Sequence, residues 1–165
     1  MLCTLAARIF HDTFAVHNRP EDMAAYMDEA FTPERLRAEI EDPRSTILLA
    51  FVEDEPAGYA KLSTGEAPAC VAGPRPVELA RLYADRAWHG RGVGAALMTA
   101  TLDAARALGA ATLWLGVWER NDRAIAFYRK CGFEPCGSHP FWLGADEQTD
   151  VLMVRALDEH ASSAG

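Results

Sequence analysis

His89-Gly90-Arg91-Gly92-Val93-Gly94-Ala95 stands between an apolar strand pattern over residues 77–84 and a stretch in which Val93, Leu97, Thr101, Ala104 and Leu108 recur on one helical face. Strand, glycine cluster, helix is the order in which a chain builds an anion site. The first backbone N–H groups of a helix have no partner inside it, and the helix dipole is positive there. Glycines let an anion approach that backbone closely, so the stretch reads as a phosphate-binding turn, against the alternative of a turn with no ligand. Gly90-x-Gly92-x-x-Ala95 formally matches the dinucleotide fingerprint. Two features count against that match. Residues 85–89 intervene between strand and glycines, and no acidic residue occurs at 109–112, about twenty positions on. A Walker-type loop is excluded because no Gly-Lys-Ser/Thr ending follows.

Downstream, Thr112–Trp118 reads as a strand heavy in Leu, Trp and Val. Asn121 caps a helix running to Lys130, and Gly132 stands where a C-terminal glycine belongs. Two further strands are expected, from Phe133 onward and over 150–156. Upstream lie three helical stretches: Leu2, Leu5, Ile9 and Phe10; Met23, Tyr26, Met27 and Ala30 after Pro20; and a helix opened by Thr32-Pro33 and ending near Glu41. Residues 47–52 and 57–63 form a hairpin around a turn at 53–56, and residues 64–76 a Gly/Ala/Pro-rich loop. Alternating strands and helices imply an α/β fold with at least one parallel crossover, as one domain over 1–165.

The 165 residues carry 16 basic and 24 acidic side chains, a net charge of −8. That balance disfavours nucleic-acid binding and a polybasic membrane anchor. The excess acid is concentrated: residues 1–60 hold 12 acidic and 5 basic side chains, and residues 61–165 hold 12 and 11. Cys3, Cys70, Cys131 and Cys136 suit reduced thiols in a cytoplasmic protein better than a disulfide scaffold or a zinc set, and no metal is expected. His11, His17, His139 and His160 show no ligand spacing. The N-terminus lacks a basic region and a clean apolar stretch, so it is not read as a signal peptide, and no run is long enough for a membrane span.

The glycine cluster also fits the pattern Gln/Arg-x-x-Gly-x-Gly/Ala. From Glu78-Leu79-Ala80-Arg81-Leu82-Tyr83 to Gly94, and again at Asn121-Asp122-Arg123-Ala124-Ile125-Ala126-Phe127-Tyr128-Arg129-Lys130-Cys131-Gly132-Phe133, the chain resembles the GCN5-related N-acetyltransferases. His89 stands where that family usually has Gln or Arg. Trp114-Leu115-Gly116-Val117-Trp118-Glu119-Arg120-Asn121, with Leu143-Gly144-x-x-Glu147-Gln148-Thr149-Asp150, is similar to the bacterial spermidine/spermine N-acetyltransferases of the PaiA type. Such enzymes usually begin with a strand. Here the helical pattern starts at Leu2, so either this chain lacks that edge strand or its start lies upstream.

The resemblance implies a mixed central sheet splayed at the acetyl-CoA site with helices on both faces. It also implies acetyl transfer from acetyl-CoA to a primary amine of a small cationic acceptor such as a polyamine. Backbone groups of Leu82, Tyr83 and Ala84 would hold the pantetheine arm. His89 would border the pyrophosphate held by the amides of Gly90, Arg91, Gly92, Val93, Gly94 and Ala95, with Arg81, Arg86 and Arg91 supplying positive charge. Asn121 would cap its helix and touch the cofactor. Tyr128 would protonate the CoA sulfur, against the plainer reading of an amphipathic-helix aromatic. Glu78, a single carboxylate in an apolar strand, would gain a raised pKa from burial and accept a proton, unless it faces solvent at a strand end. Glu119 is a second candidate for the amine, and Trp88, Trp114 and Trp118 could wall a cationic site, although Trp114 reads better as core. A peptide N-terminus, an aminoglycoside, a non-catalytic acyl-CoA sensor and a homodimeric assembly all remain open.

Overall fold

The computed structural model describes residues 1–157; His160 lies outside them. Helices α1 (Leu2–Phe14), α2 (Pro20–Ala30) and α3 (Pro33–Glu41) come first, followed by strands β1 (Ser45–Val52), β2 (Glu55–Thr64) and β3 (Pro76–Ala84). Helix α4 (Val93–Ala107), strand β4 (Thr112–Trp118) and helix α5 (Asp122–Lys130) complete the α/β part, and β5 (Glu134–Leu143) and β6 (Asp146–Ala156) close the chain. The six strands form one open mixed sheet in the order β1-β2-β3-β4-β6-β5. Only β3 and β4 run parallel, joined by the crossover through α4.

Local chemistry sets the boundaries. The Thr32 hydroxyl accepts from the Arg35 N–H at 3.1 Å ahead of Pro33, an N-cap worth about 1 kcal/mol. The Asn121 side chain does the same for the Ala124 N–H at 3.2 Å. Glu53 and Asp54 both adopt left-handed backbone, giving the two-residue turn that suits the twist of the β1–β2 hairpin. Strand β2 therefore begins at Glu55, earlier than the turn expected over 53–56. The last strand also begins earlier than expected, at Asp146, because the polar run 146–150 pairs with β5 across the turn at Gly144-Ala145. Pro135 and Pro140 are tolerated in β5 because it is an edge strand.

Each face of the sheet has its own core. On one, α1 buries Leu2, Leu5, Ala6, Ile9 and Phe10 against Met23, Phe31, Leu36 and Tyr59. On the other, Val93, Leu97, Met98 and Ala105 of α4 and Tyr128 of α5 pack on Leu79, Leu82, Leu113, Leu115 and Val117. Leu108, expected on the α4 core face, is 46% exposed; it lies past the last helical residue, where the chain already turns into β4. A third cluster buries Trp114 with Val71 and Leu152, beside Cys70 and Cys136, whose thiol sulfurs lie 2.7 Å apart. No helix among the described residues is long and apolar enough to cross a membrane.

Candidate active site

The site begins with a gap in the sheet. β3 and β4 pair only at Pro76–Thr112, Val77–Leu113 and Glu78–Trp114, and then diverge. Beyond Glu78 the β4-facing edge of β3 is unpaired. The Asp85 N–H donates to the Ala57 carbonyl at 2.7 Å. By strand alternation Tyr83 therefore turns its backbone to β2, while Leu82 and Ala84 turn theirs to the gap. The Ala84 carbonyl, in contact with His89 Nε2 at 3.2 Å, fits that assignment. Of the three backbones expected to hold an extended cofactor arm, two face the gap. The Tyr83 ring packs against the rings of Phe14 and Tyr59.

The gap leads to the glycine cluster at the start of α4. Gly90 and Gly92 have φ of 77° and 81°, a left-handed conformation that costs other residues about 1–2 kcal/mol. Val93, Gly94 and Ala95, whose N–H groups precede the first intrahelical bond of α4 at Ala96, line the cavity, as an anion site requires. Arg91 lies over the Trp88 ring, 5.0 Å from its centroid. Asp85, buried ahead of the loop, accepts from the Ala87 N–H at 3.2 Å and pairs with Arg8, tying α1 to the loop. Arg81 lines the cavity but away from this loop, 5.7 Å from the centroid of the Phe31 ring. It points to the other face, where Glu39 holds it through bonds of 2.8 and 3.1 Å, because its neighbours Leu79 and Leu82 take the α4 side of the strand.

A cavity of about 440 Å³ follows the gap, large enough for a cofactor arm and a small second substrate. Leu82, Tyr83, Ala84, His89, Gly90, Gly92, Val93, Gly94, Ala95, Asn121 and Tyr128 all line it; Arg91 does not. Tyr128 is buried, and that burial, with the neighbouring Cys131, raises its pKa well above the usual phenol value. Its hydroxyl therefore stays protonated across neutral pH.

The far side of the cavity is built from α1, α2, β4, β5 and β6. Phe10, Phe14, Tyr26, Phe31, Trp118 and Phe141 form its walls. Tyr26 stacks on Phe10 at 4.8 Å between centroids and meets Phe141 edge-on at 5.4 Å. Gln148 donates to Asn18 at 2.6 Å. Among the described residues, Asp150 is the single carboxylate of the lining. Burial raises its pKa, while the nearby His139, with Nε2 3.6 Å from Oδ2, opposes that shift.

Glu78 stands apart from the cavity lining. Burial raises its pKa as expected, and Lys61, His139 and Arg81 pull it back. Glu119 is exposed on the turn after β4 and is not in the lining either. Trp88 and Trp118 are lining residues, whereas Trp114 is core. The acidic residues of the first three helices are absent from the lining, so the surplus charge does not form the cavity wall. The sequence points to Trp88 and Trp118 as walls of a cationic site but gives no role to Asp150 or to Phe10, Phe14, Tyr26, Phe31 and Phe141. The alternation Gln148, Asp150, Leu152, which puts Asp150 on one face of a strand, was the available signal.

Residues 9–133 match the model of the Acetyltransferase (GNAT) family. An uncharacterized N-acetyltransferase of Mycobacterium bovis is 38% identical over 156 residues, which cover 94% of this chain and 96% of that protein. Another, from Lactobacillus delbrueckii subsp. lactis, is 36% identical over 153 residues, covering 93% and 88%. The crystal structure of the PaiA N-acetyltransferase from Thermoplasma acidophilum, in complex with coenzyme A, matches with a TM-score of 0.72 over 94% of this chain and 90% of that one; at 20% identity the likeness is one of fold. The unpaired β3 edge, the glycine turn and the buried phenol suit an acyl-CoA, and the chain belongs to the GNAT family of acetyl-CoA-dependent N-acetyltransferases.

Proposed function

We propose that the acceptor is a primary amine of a small cationic molecule of the polyamine type. The observation that carries this reading is Asp150: among the described residues it is the one carboxylate of a cavity whose acceptor-side wall is otherwise largely aromatic, the cation there, Arg81, being paired with Glu39. Aromatic faces attract an alkylammonium by about 0.5–2 kcal/mol, more as water is excluded, and the carboxylate gives that charge a fixed partner.

In this reading acetyl-CoA supplies the acyl group. Backbone groups of Leu82 and Ala84 hold its pantetheine arm. The amides of Gly90, Gly92, Val93, Gly94 and Ala95 hold its pyrophosphate, with His89 and Asn121 bordering it, whereas the Arg91 N–H donates to the Trp88 carbonyl. The two substrates are thus fixed on opposite sides of one cavity, which turns a bimolecular encounter into a positioned attack. Tyr128 keeps its proton until the thiolate leaves and then supplies it.

The test is release of free CoA thiol from acetyl-CoA with spermidine, spermine, an aminoglycoside and a peptide with a free N-terminus. Turnover with spermidine or spermine well above the peptide supports the reading, and turnover with a neutral amine alone overturns it. Tyr128→Phe is expected to lower kcat at least about 100-fold while acetyl-CoA still binds. A chain that only senses acyl-CoA has no turnover to lose.

A further inference from the structure

Gly116 leaves a hollow in the cavity wall. It lies two residues beyond Trp114, where β4 has parted from β3, and its missing side chain would point to the acceptor side. A β-carbon there would stand 3.3 Å from His139 Nε2 and 3.4 Å from Asp150 Oδ2. Those two residues face each other across the β5–β6 ladder, and Asp150 is also opposite Trp118 on β4. Three strands thus bring a carboxylate, an imidazole and a side-chain-free backbone to one point beside the gap. The Asp150 side chain is 15% exposed, open enough to meet a substrate and enclosed enough to hold it without competing water.

We propose that Asp150 receives the acceptor's ammonium group and removes its proton, with His139 as its positioning residue. This rests on the amine-acceptor reading above and gives the proton-accepting role to Asp150 in place of Glu78. An ammonium has no lone pair, so one proton must leave before attack. Asp150 takes it, and the nitrogen lone pair then forms the C–N bond at the thioester carbonyl. As the tetrahedral intermediate collapses, the C–S bond breaks and the thiolate receives the Tyr128 proton. The second nitrogen proton restores the phenol, and Asp150 releases its proton to solvent. The balance is one ammonium and one thioester to one amide, one thiol and one proton.

The groups around Asp150 agree with the role. Burial favours its protonated form, which makes the carboxylate a better base than an exposed one. His139, from β5, opposes this. Tyr26, from α2, has its own pKa raised chiefly by burial and in part by Asp150, so it stays neutral. From β3, Glu78 couples to His139, with Lys61 of β2 and Arg81 beside it.

The experiment measures kcat/KM for spermidine between pH 5.5 and 9.5 in the full chain and in Asp150→Asn and His139→Gln, with acetyl-CoA affinity by calorimetry. Asp150→Asn is expected to lose about 100-fold or more near pH 7. It should also lose the inflection and plateau that Asp150 ionisation sets in the parent and rise tenfold per pH unit with the free amine across the range. His139→Gln should keep that inflection but move it to higher pH, since the neighbour that opposes the raised pKa of Asp150 is gone; a purely structural role would leave the inflection in place. Acetyl-CoA affinity should hold in both. Asp150→Asn within threefold of the parent, with the same inflection, overturns this assignment alone. A parent chain that binds acetyl-CoA but releases no thiol with spermidine or spermine overturns the polyamine reading and this with it.

Discussion

Between Leu82 and Ala95 the cavity is walled mainly by main chain: an unpaired strand edge, two left-handed glycines and the first turn of α4. Across from it, between Phe10 and Asp150, the wall is side chains drawn from α1, α2, β4, β5 and β6. The two sides are bound to different chemistry. A pyrophosphate and a pantetheine amide can be held by backbone groups, whose identity no substitution short of Pro or a bulky residue changes. An amine acceptor is distinguished by rings and one carboxylate, each replaceable by a single mutation. The donor side is therefore fixed by the shape of a short continuous segment. The acceptor side is fixed by which residues five separate elements deliver, so acceptor preference can change without disturbing cofactor binding.

Gly116 is where this division can be broken most severely. Gly116→Val sets a branched side chain into the space shared with His139 Nε2 and Asp150 Oδ2. Displacing reacting groups by about 1 Å costs on the order of 100-fold. Turnover should fall at least that far while acetyl-CoA affinity by calorimetry stays within twofold. Equal losses in both would show that the two sides are not separable at β4.

The converse change belongs to the loop. Gly92→Ala imposes a left-handed backbone on a residue with a β-carbon, at about 1–2 kcal/mol. No neighbour lies within 4 Å of that β-carbon, so conformation alone is tested. Acetyl-CoA binding should weaken about tenfold, with the acceptor KM unchanged. A shift in acceptor KM in place of cofactor affinity would contradict the backbone account of the donor side.

The same division explains what could be read in advance. The glycine turn, the caps at Thr32 and Asn121 and the apolar strands are local: their residue types and spacing state their structure without reference to the rest of the chain. Asp150 is not local. Its meaning comes from lying opposite His139 on one neighbour and Trp118 on another, a register that only the assembled sheet defines. Residues 146–149 carry no strand signal of their own, because a polar run gives none when its partner is an edge strand half open to water. Arg81 was assigned to the cofactor on charge alone, whereas a shift in the β2–β3 pairing between Lys61 and Leu62 interrupts simple alternation along β3 and leaves it facing Glu39.

The surplus acid of the first sixty residues is the weakest of these links, and it can be measured. Asp28 and Glu29 of α2 are exposed and outside the cavity lining, so their only route to a cationic acceptor is through solvent. The screening length there is about 8 Å at 0.15 M salt and about 30 Å at 0.01 M. An Asp28→Asn/Glu29→Gln double variant should therefore match the parent in kcat/KM for spermidine at 0.15 M and fall about two- to threefold at 0.01 M, the difference being in encounter rate. Asp150→Asn should instead lose activity at both salt concentrations, because a carboxylate enclosed against its imidazole is little screened. A tenfold loss in the surface variant at 0.15 M would move the charge recognition from the cavity to the helices. A loss confined to low salt keeps it at Asp150 and leaves the helices only a long-range pull on the acceptor.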